Sequence, residues 1–311
     1  WPVTSSEEIK PVVVYLDGFE YHKARVADDT AKRQAVMNSG QFIVWSLTWD
    51  DLPVKGKVQS TEETTWLRQS LTAGADRIFD QMAGRMEWPN YAQLLSACSG
   101  SSFAWLLQYL AAPVREAEAL FRLAFSRAFS ALSLTATGDR GTMDAQRYEI
   151  QRLAPSAWSL EHLDIDGLTG MATLFDVPEI RLVTVLPKES LRNIQDLRTD
   201  LTSLLWMSDE FPEHDDYKAA WRRFWSAFNL LQFIPGFAVA SSTGVYAGVY
   251  DNLSKTEVSS VDVAAEVDDA GWREALEYTA APDELERVMH TLPANFTAPE
   301  VGIDLRNAQD E

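Results

Sequence analysis

The chain has 311 residues, of which 46% are hydrophobic, 23% charged and 11% aromatic, a globular balance that excludes disorder, collagen-like repeats and a coiled-coil rod as descriptions of the whole. Lys and Arg number 27 against 46 Asp and Glu, a net charge of −19, so the surface taken as a whole repels a phosphate backbone. The single cysteine, Cys98, excludes an internal disulfide framework and a Cys-rich zinc site and fits a reducing compartment, and no apolar run approaches the ~18 residues of a membrane span.

The length suggests about two domains. The charge is unevenly spread. Residues 1–57 carry 7 basic and 8 acidic side chains, residues 58–311 carry 20 and 38, and within the latter residues 251–311 hold 4 and 15. The expected division is therefore a near-neutral α/β segment over 1–57 and a mainly helical, acidic domain over 58–311, with the first as the better candidate for touching nucleic acid. The chain opens on Trp1-Pro2 without a basic n-region or signal-type apolar segment, and reads as a piece of a longer polypeptide.

In chain order, residues 11–17 (PVVVYLD) form a β-branched, aromatic run ended by Gly18 and predict a buried strand. A helix capped by Asp28 or Asp29 follows to about Asn38, with Gly40 just past its end. Residues 41–49 (QFIVWSLTW) are again β-rich, so the order strand, helix, strand predicts a parallel βαβ unit. Both strands read as inner ones, because their apolar residues run on without alternating. Residues 60–63 (STEE) fit a capping box, and helical spacing follows over 66–82, 91–97, 103–111 and 114–132. Residues 138–141 read as a loop. Residues 180–186 (IRLVTVL) predict a strand with Pro178 and Pro187 outside it, 191–207 a helix, and 237–250 a further part of a short sheet. After the acidic cluster Asp209, Glu210, Glu213, Asp215 and Asp216, a helix carries Trp221, Phe224, Trp225, Phe228 and Leu231 on one stripe until Pro235-Gly236 stops it. Residues 261–278 and 283–290 read as acidic amphipathic helices.

Several chemistries lack their motifs. There is no phosphate-cradling GxxxxGK[ST], no GxGxxG, no HExxH and no GxSxG, and the four histidines (22, 162, 214, 290) show no zinc-ligand spacing. The cluster at 213–216 reads as a solvated helix start, and the alternation at 162–166 as a strand edge. The stretch that points to chemistry is 12–51. A carboxylate at a strand's end, a Gly and a short spacer put Asp17 and His22 on one turn at the sheet's C-terminal edge. There a hard oxygen ligand suits Mg²⁺, and a nearby imidazole suits positioning or protonating groups in phosphodiester hydrolysis.

The pattern LDG-FEYH, then a D-x-x-KR helix, then SG-QFIVWSLTWDD resembles the very-short-patch-repair type of endonuclease. That type belongs to the PD-(D/E)XK nuclease superfamily, which includes nuclease-like domains at the ends of large bacterial helicases. The resemblance covers about 40 residues. It implies Asp17 as metal ligand and catalytic residue with His22, Asp29 on the acidic position opening the helix, Lys32 and Arg33 as phosphate-binding residues, and Mg²⁺ as cofactor. Two positions depart from the family. Val3-Thr4-Ser5-Ser6 has no Asp where the leading metal ligand belongs, and Tyr15 stands where many members have Glu. A second likeness, of 221–237 (WRRFWSAFNLLQFIPGF) and 298–305 (APEVGIDL), is to the C-terminal regions of DEAD/DEAH-box helicases found with bacterial phage-defence systems.

Together these resemblances imply a partial PD-(D/E)XK-like βαβ core followed by a mostly helical region. They imply a cytoplasmic accessory nuclease-like domain of a DNA helicase, partnered by DNA and by the rest of that polypeptide. The alternative is a catalytically inactive scaffold or interaction domain of the same larger protein, and a third reading is an unrelated helical regulator without a βαβ unit.

Overall fold

The computed structural model describes residues 10–52, 101–133, 168–175, 177–187, 189–190 and 194–251, with isolated positions at 84, 148, 150 and 152–154. All of them belong to one compact unit, Trp1–Thr256. The expected helices over 66–82, 91–97, 261–278 and 283–290, the capping box at 60–63, the loop at 138–141, Cys98, His162 and its neighbours, and Val3 to Ser6 lie outside the described residues.

The unit is mixed α and β. It begins with β1 (Val12–Asp17), a single turn α1 (Phe19–His22), α2 (Val26–Asn38) and β2 (Ile43–Thr48), which runs into a 3-10 turn over Trp49–Asp51. The two strands are parallel, with Val12 opposite Ile43 and Asp17 opposite Thr48, as the strand–helix–strand order predicts. Gly40 takes φ +69 just beyond the end of α2, the left-handed turn that a C′ glycine supplies at low cost. The helix starts earlier than its acidic pair suggests. Arg25 is the N-cap and the buried Val26 opens α2, leaving Asp28 and Asp29 within the first turn.

The chain continues through α3 (Ser102–Ala111), α4 (Pro113–Ser133), β3 (Leu168–Leu174), β4 (Val177–Leu186), α5 (Ile194–Asp200), β5 (Thr202–Met207), α6 (Tyr217–Leu231), β6 (Ala238–Ser241) and α7 (Ser242–Tyr246). Strands β3 to β6 form a second sheet in that order, antiparallel except for the parallel β5–β6 pair. Its faces are both buried. Leu182, Leu205 and Met207 join the main core with Trp45, Trp105, Phe125 and the aromatic stripe of α6, whereas Val183, Leu204, Trp206 and Tyr250 build a smaller core on the other side. Each of Trp221, Phe224, Trp225 and Phe228 is buried, and truncating one such side chain to Ala costs about 3–5 kcal/mol.

Four further expectations are corrected. Residues 191–207 are not one helix but α5 followed by β5. β5 pairs on both edges and is buried on both faces, so its run TSLLWM carries no alternation to betray a strand. Residues 237–250 contribute only β6, and Ser241, accepting from the Gly244 N–H at 3.2 Å, caps α7 directly afterwards. Pro178 lies inside β4, at its second residue and beside a register shift at Thr173/Leu174, where an irregular ladder tolerates a missing donor. Finally, among the described residues β2 has β1 as its strand partner and side chains on its other edge, so the inner placement inferred from its apolar run is not seen.

The edge of β2 is closed by side chains instead. Asn229 of α6 accepts from the Ser46 N–H at 2.7 Å and donates to the Ser46 carbonyl at 2.7 Å. One turn on, Gln232 accepts from the Val44 N–H at 3.0 Å. The outer edge of β6 is treated alike, its Val239 N–H donating to Gln34 of α2 at 2.8 Å and its Ser241 N–H to the Tyr250 hydroxyl at 2.8 Å. Buried strand edges thereby meet the requirement that every interior donor and acceptor has a partner, and α6 is locked against β2 and α2 against β6.

Candidate functional site

The last residue of β1, Asp17, meets two consecutive turns of α2 across the βαβ unit. Asp29 and Arg33 are four apart in α2 and so share a face, and that face is turned onto the strands. Arg33 is 1% exposed. Its Nη2 donates to Asp17 Oδ2, its Nε donates to Ser46 Oγ at 2.7 Å and its Nη1 to the Asp29 carbonyl at 3.0 Å. The guanidinium carbon Cζ lies over two rings, 4.4 Å from the centroid of Tyr15 and 4.2 Å from that of Trp225. Three donors fixed in one plane, each with its own acceptor, and two ring contacts together suit arginine and not lysine.

His22 closes the cluster from the solvent side. Its Nδ1 donates to Asp29 Oδ2 at 2.8 Å and stands 3.7 Å from Asp17 Oδ1. Asp17 and Asp29 are each 3% exposed, and His22 is half-buried. Burial raises the Asp17 carboxyl above its ordinary value, while Arg33 and then His22 pull it the other way. The Asp29 hydrogen bond raises the imidazole of His22, against the opposing effect of its burial. With His22 protonated the four groups sum to zero charge, the condition under which buried ions are tolerable.

This arrangement places the two residues expected at the catalytic centre side by side, Asp17 and His22. It separates the two expected phosphate ligands. Lys32 is exposed, whereas Arg33, one residue on and about 100° round the helix, is consumed within the cluster. Mg²⁺ demands several oxygen ligands in near-octahedral geometry. Of the four carboxylate oxygens here, Asp17 Oδ2 is held by Arg33 and Asp29 Oδ2 by His22. A dication about 4 Å from the guanidinium is repelled by roughly 8 kcal/mol at an effective dielectric of 20. Among the described residues no group of three or more His, Cys, Asp or Glu is placed to hold a metal ion. The donor set as it stands does not fit Mg²⁺.

No family model, curated protein or solved structure matches the chain. Among the described residues no helix is long and apolar enough to cross a membrane.

Three participants are not signalled by any motif. Ser46 sits in an apolar strand, Trp225 reads only as core, and Tyr15 reads only as a strand aromatic, yet together they hold the Arg33 guanidinium. The available hint is the pair Asp29 and Arg33 at helical i, i+4 spacing, on a helix that has to pack against strands. A further buried acid, Asp209, accepts from Ser242 Oγ at 2.8 Å, from the Thr243 N–H at 2.8 Å and from Thr243 Oγ1 at 2.5 Å, fastening the start of α7. The remaining acids of that cluster, Glu210 to Asp216, are exposed at the start of α6.

Proposed function

We propose that this chain is a catalytically inactive interaction domain, built on a nuclease-like βαβ unit, of a larger DNA helicase polypeptide. The observation that carries the reading is the Arg33 guanidinium, buried and bonded at Asp17, the residue that the resemblance makes a metal ligand. A fixed internal cation neutralises the carboxylates and stabilises the fold, but it has no open position through which to activate water or meet a phosphoryl oxygen. Tyr15 in place of Glu fits the same conclusion, since a phenol stays protonated and supplies no carboxylate. The setting in a cytoplasmic, defence-associated helicase rests on the resemblances at 12–51, 221–237 and 298–305.

The active reading, Mg²⁺-dependent phosphodiester hydrolysis by Asp17 and His22, is favoured by one observation: His22 is the cluster member that reaches solvent, with its imidazole beside Asp17. Plasmid cleavage in Mg²⁺ or Mn²⁺ separates the two. The inactive domain leaves the plasmid intact with wild type and Asp17→Ala alike, whereas cutting by the wild type that disappears in a folded Asp17→Ala variant refutes it.

A further inference from the structure

The outer edge of β1 is built differently from the outer edges of β2 and β6. In the parallel pair of β1 with β2, Val12 stands opposite Ile43, and the Ile43 N–H donates to the Pro11 carbonyl at 3.0 Å. Alternate residues of a parallel ladder bond to the same neighbour, so Pro11, Val13 and Tyr15 turn their backbone groups toward β2. Val12, Val14 and Leu16 turn theirs the other way. Among the described residues nothing meets those outward N–H and C=O groups. The side chains of Val14 and Leu16 share one face of the strand and are 47% and 41% exposed. The outward groups of β2 and β6 are taken instead by Asn229, Gln232, Gln34 and Tyr250.

An open ladder is a template for another strand, because its donors and acceptors recur at the strand repeat. Edges that stay single carry a charge, a proline or a bulge. None of these stands between Val12 and Leu16: the run VVVYL is uncharged and pairs with β2 without a break in register. The outward residues also fit a copy of themselves. An antiparallel pair about a two-fold axis at Val14 sets Val14 opposite its own copy and Val12 opposite Leu16 of the second copy. Every outward N–H and C=O of these residues then has a partner, and the β-branched Val14 pair adds cross-strand packing. Charge favours the same contact. Residues 1–57 carry 7 basic and 8 acidic side chains against 20 and 38 in the remainder, so two chains of charge −19 bring the least like charge together when they meet through this segment. Asn229 and Gln232 block the far edge of β2, so the joined sheet ends at both sides and assembly closes at a dimer.

We propose that β1 is a homodimerisation edge, pairing antiparallel with β1 of a second copy of the chain about a two-fold axis at Val14. The proposal rests on the interaction-domain reading and deepens it by naming the partner as the chain itself. The two fail separately, because plasmid cleavage decides the first and self-association the second.

The test is sedimentation equilibrium of the full chain from low to high micromolar concentration. The wild type is expected to approach twice the chain mass and to stop there. Val14→Lys sets like charges against each other across the axis and should weaken association about tenfold or more, as should Val14→Glu. Mixing these two variants should restore the dimer, since position 14 of one copy faces position 14 of the other. Val14→Thr keeps the β-branch and should associate as the wild type does. Circular dichroism melts establish that each variant is folded, and Leu16→Lys, expected to weaken association likewise, serves if either charged Val14 variant is not. A wild type that stays monomeric throughout overturns the proposal, as do assemblies larger than a dimer. Undiminished association of folded Val14→Lys, or a mixture of Val14→Lys and Val14→Glu that associates no better than either alone, overturns it as well.

Discussion

Replacing Arg33 with Met tests the packing of the cluster most severely. The methionine fills the stem of the side chain between Tyr15 and Trp225 but removes the guanidinium, its bonds to Asp17, Ser46 and Asp29, and its stacking on both rings. Two acids that are each 3% exposed then face only His22. Breaking a buried pair on one side costs roughly 3–5 kcal/mol, because the remaining charge is stranded. At a slope of ~2–3 kcal/mol per M that lowers the urea midpoint by roughly 1–2.5 M. The double variant Arg33→Met/Asp17→Asn removes the stranded charge and should recover a large part of the loss. Lowering the pH should also stabilise the single variant, since a carboxyl whose folded-state pKa is raised binds its proton first in the folded state. Equilibrium unfolding followed by tryptophan fluorescence and by circular dichroism measures both effects. A loss under ~1 kcal/mol for Arg33→Met, or a double variant no better than the single, refutes the account of Arg33 as the charge that holds the site together.

Other consequences are as definite. Because the folded-state pKa of His22 is raised, its interaction with Asp29 contributes fully below the ordinary value near 6.5 and fades as pH rises through the folded-state value. The urea midpoint should therefore fall with rising pH from 6.5 upward, and His22→Gln should flatten that slope; an unchanged slope contradicts the Asp29 hydrogen bond. Asn229→Leu strands the Ser46 N–H and carbonyl at the edge of β2. A cost of about 2–4 kcal/mol in urea unfolding is expected, each orphaned buried group being worth ~1–3 kcal/mol, and a neutral effect means that water or another side chain reaches the edge. Gly170→Ala in β3 drives a Cβ into the Ala131 carbonyl oxygen of α4. Backbone cannot yield there as a flexible side chain would, so the thermal midpoint should drop by an amount corresponding to about 1–3 kcal/mol, and an unshifted midpoint disproves that close helix–strand approach.

The local part of this architecture was readable in the sequence. A β-branched run, an acid-led helix with Gly40 behind it and a second β-rich run specify β1, α2 and β2, and a strand end followed by Gly18 and a short spacer brings His22 back to Asp17. What sequence reasoning could not supply were the long-range partners. Arg33 is as well suited to a solvated helix face as to a buried pair, and only the packing of α2 onto Tyr15, Ser46 and Trp225 decides between them. Asn229 looks like an interruption of the aromatic stripe of α6 until Ser46 is set opposite it, 183 positions away. Thr202 to Met207 read as helix because Leu, Trp and Met suit either state, and it is pairing with β4 and β6 that makes them a strand.

If Arg33 occupies the cation position beside Asp17, no metal ion binds there. The measurement that addresses it most directly is a Mn²⁺ titration of the wild type and of Asp17→Asn, read by electron paramagnetic resonance of the free ion. Both proteins should show the same weak, salt-sensitive binding, because the acidic surface attracts Mn²⁺ diffusely and Asp17 takes no part. A stoichiometric, micromolar site present in the wild type and lost in a folded Asp17→Asn variant would contradict it.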